Sequence, residues 1–167
     1  DCSYNQLKTI DLSGIVIRYP VFDLNNNGLT SFTLKNGVLE QSVSFANNPN
    51  LQFVCVDESE TIGIQNKIKQ YGYTNCNVNS YCSFTPGGNY YTIQGNTKLD
   101  NNNNGCDVED TNYPDLKFSI TNGTISGSLI ANTVGNYNIP VIAGTHTVTP
   151  VLENPSYFNI TPTTATV

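Results

Sequence analysis

The apolar positions of this chain follow two patterns, and the change falls near residue 90. In the first half they return in blocks. Displaced by 22 residues, Asp1–Ile10 overlays Asp23–Phe32, and Leu12 falls on Leu34. Leu51, Val54 and Val56 continue the positions of Leu29, Phe32 and Leu34, while Val43–Asn48 joins the series only if the register slips by one. The unit is carried by Phe22, Leu24, Asn27, Leu29 and Phe32, short apolar runs around a fixed asparagine. One short strand cannot bury its apolar face alone, so stacked copies form a continuous core. Asn5, Asn27 and Asn48 are expected inside that stack, satisfying backbone groups that burial would otherwise leave unpaired.

Asp57–Gly72 changes to helical spacing. Ile64, Ile68 and Tyr71 recur on one side, acidic residues lead, lysines trail, and Gly72 stops the run. This helix is expected to close the end of the stack, because a terminal unit needs a polar outer surface. Residues 77–88 read as a seam that ends in the turn signal Pro86-Gly87-Gly88 and packs through Tyr81 and Phe84. From Tyr90 onward the chain alternates in short runs: 91–99, 116–120, 124–130, 135–141, 144–150 and 157–160. Breaks at Asn122-Gly123, Val134-Gly135 and Ala143-Gly144 separate them, which predicts a small β-sandwich. The expected protein is therefore mainly β. Residues 1–76 form repeats with a helical cap, 77–88 the seam, and 89–167 the sandwich.

The first pattern, with Asp1-Cys2-Ser3-Tyr4-Asn5-Gln6-Leu7, resembles the leucine-rich repeat in its form of about 21 residues, common in exported proteins of Bacteroidetes. That resemblance implies a solenoid, here a piece of a longer array, with Cys2 at a core position normally held by Leu. In the second half, Asp100–Gly105, Leu116–Ile120, Gly135-Asn136-Tyr137 and Ala143–Val148 stand in the order found in prealbumin-like B-type domains of bacterial surface adhesins. The resemblance implies a stalk or spacer module on an exported protein, often stabilised by calcium.

The residues themselves also point to a cation. Asp100, Asn102 and Asn104 place side-chain oxygens at alternate positions, Gly105 follows, and Cys106 would offer its carbonyl. Asp110 is the expected closing carboxylate, one residue short of the usual spacing, with Asp107 and Glu109 as competitors. Calcium is the expected ion because every candidate ligand is oxygen. The competing reading is a surface loop rich in Asn and Gly, held by a disulfide. A near twin, Asp23–Gly28, lacks the trailing carboxylates, and its Leu24 belongs to the repeat core, so it reads as structural.

Composition narrows the partners. Polarity comes from 25 asparagines rather than charge, only 12% of residues are charged, and the net charge is −6. The seven Lys and Arg form no basic cluster, which excludes phosphate-rich partners such as nucleic acid. No apolar run reaches the ~18 residues of a membrane span. Five cysteines indicate an oxidising compartment, hence a secreted or cell-surface protein. Cys55 and Cys76 are the pair expected to pin the cap and Cys82 and Cys106 the remaining one, although connectivity does not follow from sequence.

His146, the only histidine, lies in an alternating strand with no nucleophile or second metal ligand near it, so it reads as structural. With no acid–base pair and no phosphate loop, the expectation is a non-enzymatic, exported cell-surface interaction protein of adhesin type. A protein or glycan ligand would sit on the repeat face, at Asp11, Asp23, Thr33 and Ser44. The alternative is an accessory carbohydrate-binding region of a secreted glycan-active enzyme, with Tyr90, Tyr91, Tyr113 and Tyr137 stacking on sugar.

Overall fold

A computed structural model describes residues 1–16, 21–40 and 42–167. The protein is mainly β, with one α-helix. Strands β1 (Thr9–Asp11), β3 (Ser31–Thr33), β5 (Phe53–Cys55) and β6 (Asn77–Asn79) lie side by side and parallel. Thr9 stands against Ser31, Ser31 against Phe53, and Phe53 against Asn77. The first two steps are 22 residues each (31 − 9 and 53 − 31) and the third is 24 (77 − 53).

A second parallel ladder runs along the other side of the coil. In it β2 (Phe22–Asp23) pairs with β4 (Val43–Ser44) at a step of 21 (43 − 22), which is the slipped register expected there. Between the ladders lies a core of Leu24, Leu29, Phe32, Leu34, Phe45, Val54 and Val56, each fully buried.

The asparagines hold consecutive coils together. Asn27 Oδ1 accepts from Leu7 N at 3.1 Å, while its amide donates to the carbonyls of Cys2 and Leu24 at 2.9 and 3.1 Å. One coil later Asn48 repeats the set, accepting from Leu29 N at 3.1 Å and donating to Leu24 O and Phe45 O at 3.1 and 2.9 Å. Asn is suited to this turn twice over, because the preceding Asn26 and Asn47 sit at φ of 55° and 58°, a region asparagine tolerates.

Helix α1 (Thr61–Gln70) turns Ile64 and Ile68 onto this core and ends at Gly72, whose φ of 76° suits glycine. Tyr71 and Tyr73 then close over Phe45, with ring centroids 5.1 and 6.3 Å away. The Tyr73 hydroxyl takes the place of a further asparagine rung. It accepts from Asn48 N at 2.9 Å and donates to Phe45 O at 2.8 Å.

The seam residues do not interrupt the sheet. β6 lies within them, parallel to β5 on one side and antiparallel to β11 (Ser126–Ile130) on the other, through Leu129 and Asn79. β10 (Lys117–Thr121), β13 (Thr147–Val151) and β14 (Ala165–Thr166) complete an eight-stranded sheet that runs through both halves. Gly127 permits the junction: a Cβ there would lie 2.5 Å from Tyr81 N. A separate antiparallel pair, β7 (Tyr91–Asn96) and β12 (Asn136–Val141), shares a second core with β10, built from Phe118, Ile120, Leu129, Ile139, Val141 and Val148. The short pair β8 (Lys98–Leu99) and β9 (Thr111–Asn112) brackets the Asn-rich loop. Residues 157–160, expected as a strand, instead follow a turn closed by Tyr157 N to Asn154 O, and Phe158 packs edge-on to Tyr113.

Candidate functional site

The loop after β8 is organised around Asp100. One carboxylate oxygen accepts from Asn103 N and Asn104 N at 2.6 and 3.3 Å, and the other from Gly105 N at 2.9 Å. Asn102 Oδ1 accepts from Asn104 N, and the Asn104 amide donates to Asp107. The Glu109 N–H, the Asn104 amide and the Asp110 N–H hold the Asp107 carboxyl below its ordinary range. Asp110 turns inward, is nearly buried, and accepts from Asp107 N at 2.9 Å.

Lys98 reaches under the loop to the carbonyls of Asp107 and Asp110, at 2.5 and 3.3 Å. Backbone N–H groups and this one ammonium therefore compensate charge that the sequence leaves looking repulsive. The donor set of Asp100, Asn102, Asn104, the Cys106 carbonyl and Asp110, with Asp107 beside it, is all oxygen and fits a hard cation in kind. Among the described residues no three His, Cys, Asp or Glu side chains stand together as a metal group.

The cysteines pair otherwise than expected. Cys55 is bonded to Cys82, with Cα atoms 5.6 Å apart, while Cys76 and Cys106 are free thiols, as is Cys2. The expected pairs Cys55–Cys76 and Cys82–Cys106 are thus replaced by one. The reason is register. In the β5–β6 ladder Cys55 stands against Asn79, so Cys76 lies off the opposite end of β6, while the chain leaving β6 folds Cys82 back over β5. Burial pushes the Cys76 thiol up to about 12, and Cys106 lies exposed in the loop.

That fold-back also changes the expected ligand face. Phe84 stacks on Phe53 at 5.1 Å, and Thr9 Cγ2 would lie 3.1 Å from a Cβ placed on Gly87. The outer side of β3 and β5 is thereby covered while Asp11 of β1 stays exposed, and Thr33, expected to be exposed, is 4% exposed with its hydroxyl unpaired. The four face residues belong to two ladders: Asp11 stands opposite Thr33, and Asp23 opposite Ser44. Asp23 accepts from Asn25 N and Ser44 donates to Asn25 Oδ1, so both serve the coil's own turns.

His146 is buried at 2% exposure. Its Nε2–H donates to Ile142 O at 2.9 Å, which leaves Nδ1 to accept from the Tyr81 hydroxyl at 2.8 Å. No bond of the ring is free for proton transfer to a substrate.

A concavity of about 1000 Å³ is a cleft between the two halves. One wall is the outer face of the β7–β12 pair, where Asn96 stands beside Asn136, Gln94 beside Asn138, and Thr92 beside Pro140. The other wall comes from Gln65 and Lys69 of α1 and from Tyr73–Asn77 after it, with Gln52 and Tyr90 at the rim. Of the four tyrosines proposed for stacking, Tyr90 lines this cleft; Tyr137 borders it but packs its ring on Phe118, with centroids 4.7 Å apart, Tyr113 packs against Phe158, and Tyr91 projects into solvent. The signal for this wall lies in the sequence: Thr92, Gln94 and Asn96 alternate with Ile93, as Asn136 and Asn138 do with Tyr137 and Ile139. The smaller cavity of about 290 Å³ is apolar and lies under the C-terminal segment, lined by Phe118, Tyr113, Phe158 and Pro162 among others. No family model, curated protein or solved structure matches this chain.

Proposed function

We propose that the chain is a non-enzymatic, exported interaction module. It joins the end of a leucine-rich-repeat array to a prealbumin-like β-sandwich that carries it on a cell surface. The observation that carries this reading is the repeated asparagine rung, Asn27 and Asn48 in equivalent bonds one coil apart. A single asparagine could be chance, but the same donors and acceptors repeated in step are what stacked repeats require. The Cys55–Cys82 bond supports an oxidising destination outside the cell. No described helix is long and apolar enough to cross a membrane.

With the outer face of β3 and β5 covered by the chain itself, a protein or glycan ligand has to use the surfaces that remain open, exposed Asp11 of β1 among them. The loop from Asp100 to Asp110 takes calcium in this reading, through Asp100, Asn102, Asn104, the Cys106 carbonyl and Asp110 or Asp107, and so stiffens the root of the sandwich. Antibody labelling of intact host cells, compared with broken ones, tests the placement. Labelling of intact cells is expected, and recovery from the cytosolic fraction alone would overturn it. The alternative, an accessory carbohydrate-binding region of a secreted glycan-active enzyme, requires a catalytic domain elsewhere in the same polypeptide.

A further inference from the structure

We propose that the cleft between the two halves binds a neutral oligosaccharide. The inference rests on reading the chain as an interaction module, and it supplies the class of ligand and the place where it sits. The wall formed by β7 and β12 presents two facing rows of short polar side chains, in which Gln94 with Asn138 and Asn96 with Asn136 set four amides on one face. The Asn96 amide donates to Asn136 Oδ1 at 2.7 Å and to Val134 O at 3.2 Å, which fixes that pair in place. A side-chain amide offers both a carbonyl acceptor and N–H donors. A pair of neighbouring sugar hydroxyls offers the same two functions in return, so rows of amides match a hydroxylated chain without needing charge.

Charge points the same way. The cleft's charged side chains are one of each sign, Lys69 and Asp115, on a protein whose net charge is −6. Acidic glycans and phosphorylated ligands would meet no compensating cluster. An apolar ligand would strand the Gln94 and Asn138 amides without partners.

The rim supplies an aromatic platform that is already ordered. Phe53, Phe84 and Tyr90 form a continuous stack, each step 5.1 Å between centroids at 28° and 23°. Tyr90 is the outermost ring, 47% exposed, with its hydroxyl 3.5 Å from Gln52 Oε1. A sugar ring laid on Tyr90 would bury apolar C–H surface while its hydroxyls turn to the amides, with little ordering left to do on binding. An extended peptide is the less suited ligand. It would add to a strand edge through its backbone, whereas this wall is the face of a strand pair.

The experiment uses the full chain against a printed panel of neutral oligosaccharides (glucans, mannans, xylans and galactans) beside uronic-acid and sulfated ones. Titration calorimetry with the best binder then follows. Binding to at least one neutral glycan is expected, weakened about tenfold or more by Gln94→Ala combined with Asn138→Ala. Both side chains lie on a solvent-facing strand surface, so the variant keeps its core. Tyr90→Ala should weaken the same glycan, and Thr124→Ala, outside the cleft, should leave it unchanged. A blank neutral panel, binding to acidic glycans alone, or unchanged affinity in the double variant would each overturn the proposal. So would a peptide library that returns binders dependent on Gln94 while the glycans stay silent. Because surface labelling of cells is measured separately, loss of the glycan site leaves the exported-module reading standing or falling on its own result.

Discussion

The hydroxyl of Tyr81 donates to Nδ1 of His146 across 2.8 Å, joining a residue two positions past the end of β6 to the residue that precedes β13. Both side chains are buried, and the rings meet edge to face with centroids 5.8 Å apart. The bond ties the strand that ends the parallel stack to the interior of the second half. Tyr81→Phe keeps the ring and leaves Nδ1 buried without a donor. Stability should fall by about 1–3 kcal/mol, read as a lower urea midpoint with an unchanged slope. An unchanged midpoint would mean that water reaches His146.

The Cys55–Cys82 bond closes a loop of 27 residues. Chain-entropy reasoning puts its contribution at about 3–4 kcal/mol, so Cys55→Ala with Cys82→Ala should lower the melting temperature clearly. Non-reducing peptide mapping should link these two cysteines and no others. Cys106 should alkylate readily in the native protein. Cys76, whose thiol burial holds up at about 12, should stay unmodified until the protein unfolds.

Glu60 carries the clearest pH dependence. It is nearly buried beside Glu40, accepts from the Glu40 N–H at 3.1 Å, and has one oxygen with no partner. Burial first, and the Glu40 carboxyl second, raise it from 4.5 to about 7. The folded chain therefore binds a proton more readily than the unfolded one. The stabilisation is complete below about 4.5 and is lost as pH rises through about 7. Glu60→Gln should flatten that slope and make the protein more stable than wild type at pH values above about 7. Urea midpoints for both proteins across this window check the sign, and a midpoint that rises with pH would contradict it.

Asn48 serves three chain segments at once, through Leu29 N, Leu24 O and Phe45 O. Asn48→Leu has a similar size but pairs none of them. Each orphaned buried group costs about 1–3 kcal/mol, enough to unfold the N-terminal coils or to speed hydrogen exchange at Leu29 sharply. A variant that kept slow exchange there would show that the rung is dispensable.

Calcium should raise the melting temperature relative to chelator, and Asp100→Ala and Asp110→Ala should remove the difference. If both variants melt as wild type does, with no response to calcium, the loop is held by its own N–H groups and Lys98 alone. The Lys98 contacts make that contrast sharp, because a cation would have to share the carbonyl side of the loop with an ammonium.

Much of the architecture was legible in the order of residues. The step of 22, the one-residue slip at Val43, the rungs of Asn27 and Asn48, the helix through Ile64 and Ile68 and the structural histidine all follow from local pattern, whereas Asn5, expected inside the stack with the other two, is exposed. They do so because periodicity and turn preference act between near neighbours, and the energy of a misplaced apolar or polar side chain is felt at once. Only the tertiary structure decided which cysteines meet, what lies over Thr33, and where the chain leaves an open cleft. Each depends on the segment after β6 folding back across β5, so that Cys82, Phe84 and Tyr90 reach partners far away in sequence. No local preference encodes that path. It is set by the one arrangement that pairs β6 with both β5 and β11 and buries Phe53 beneath Phe84.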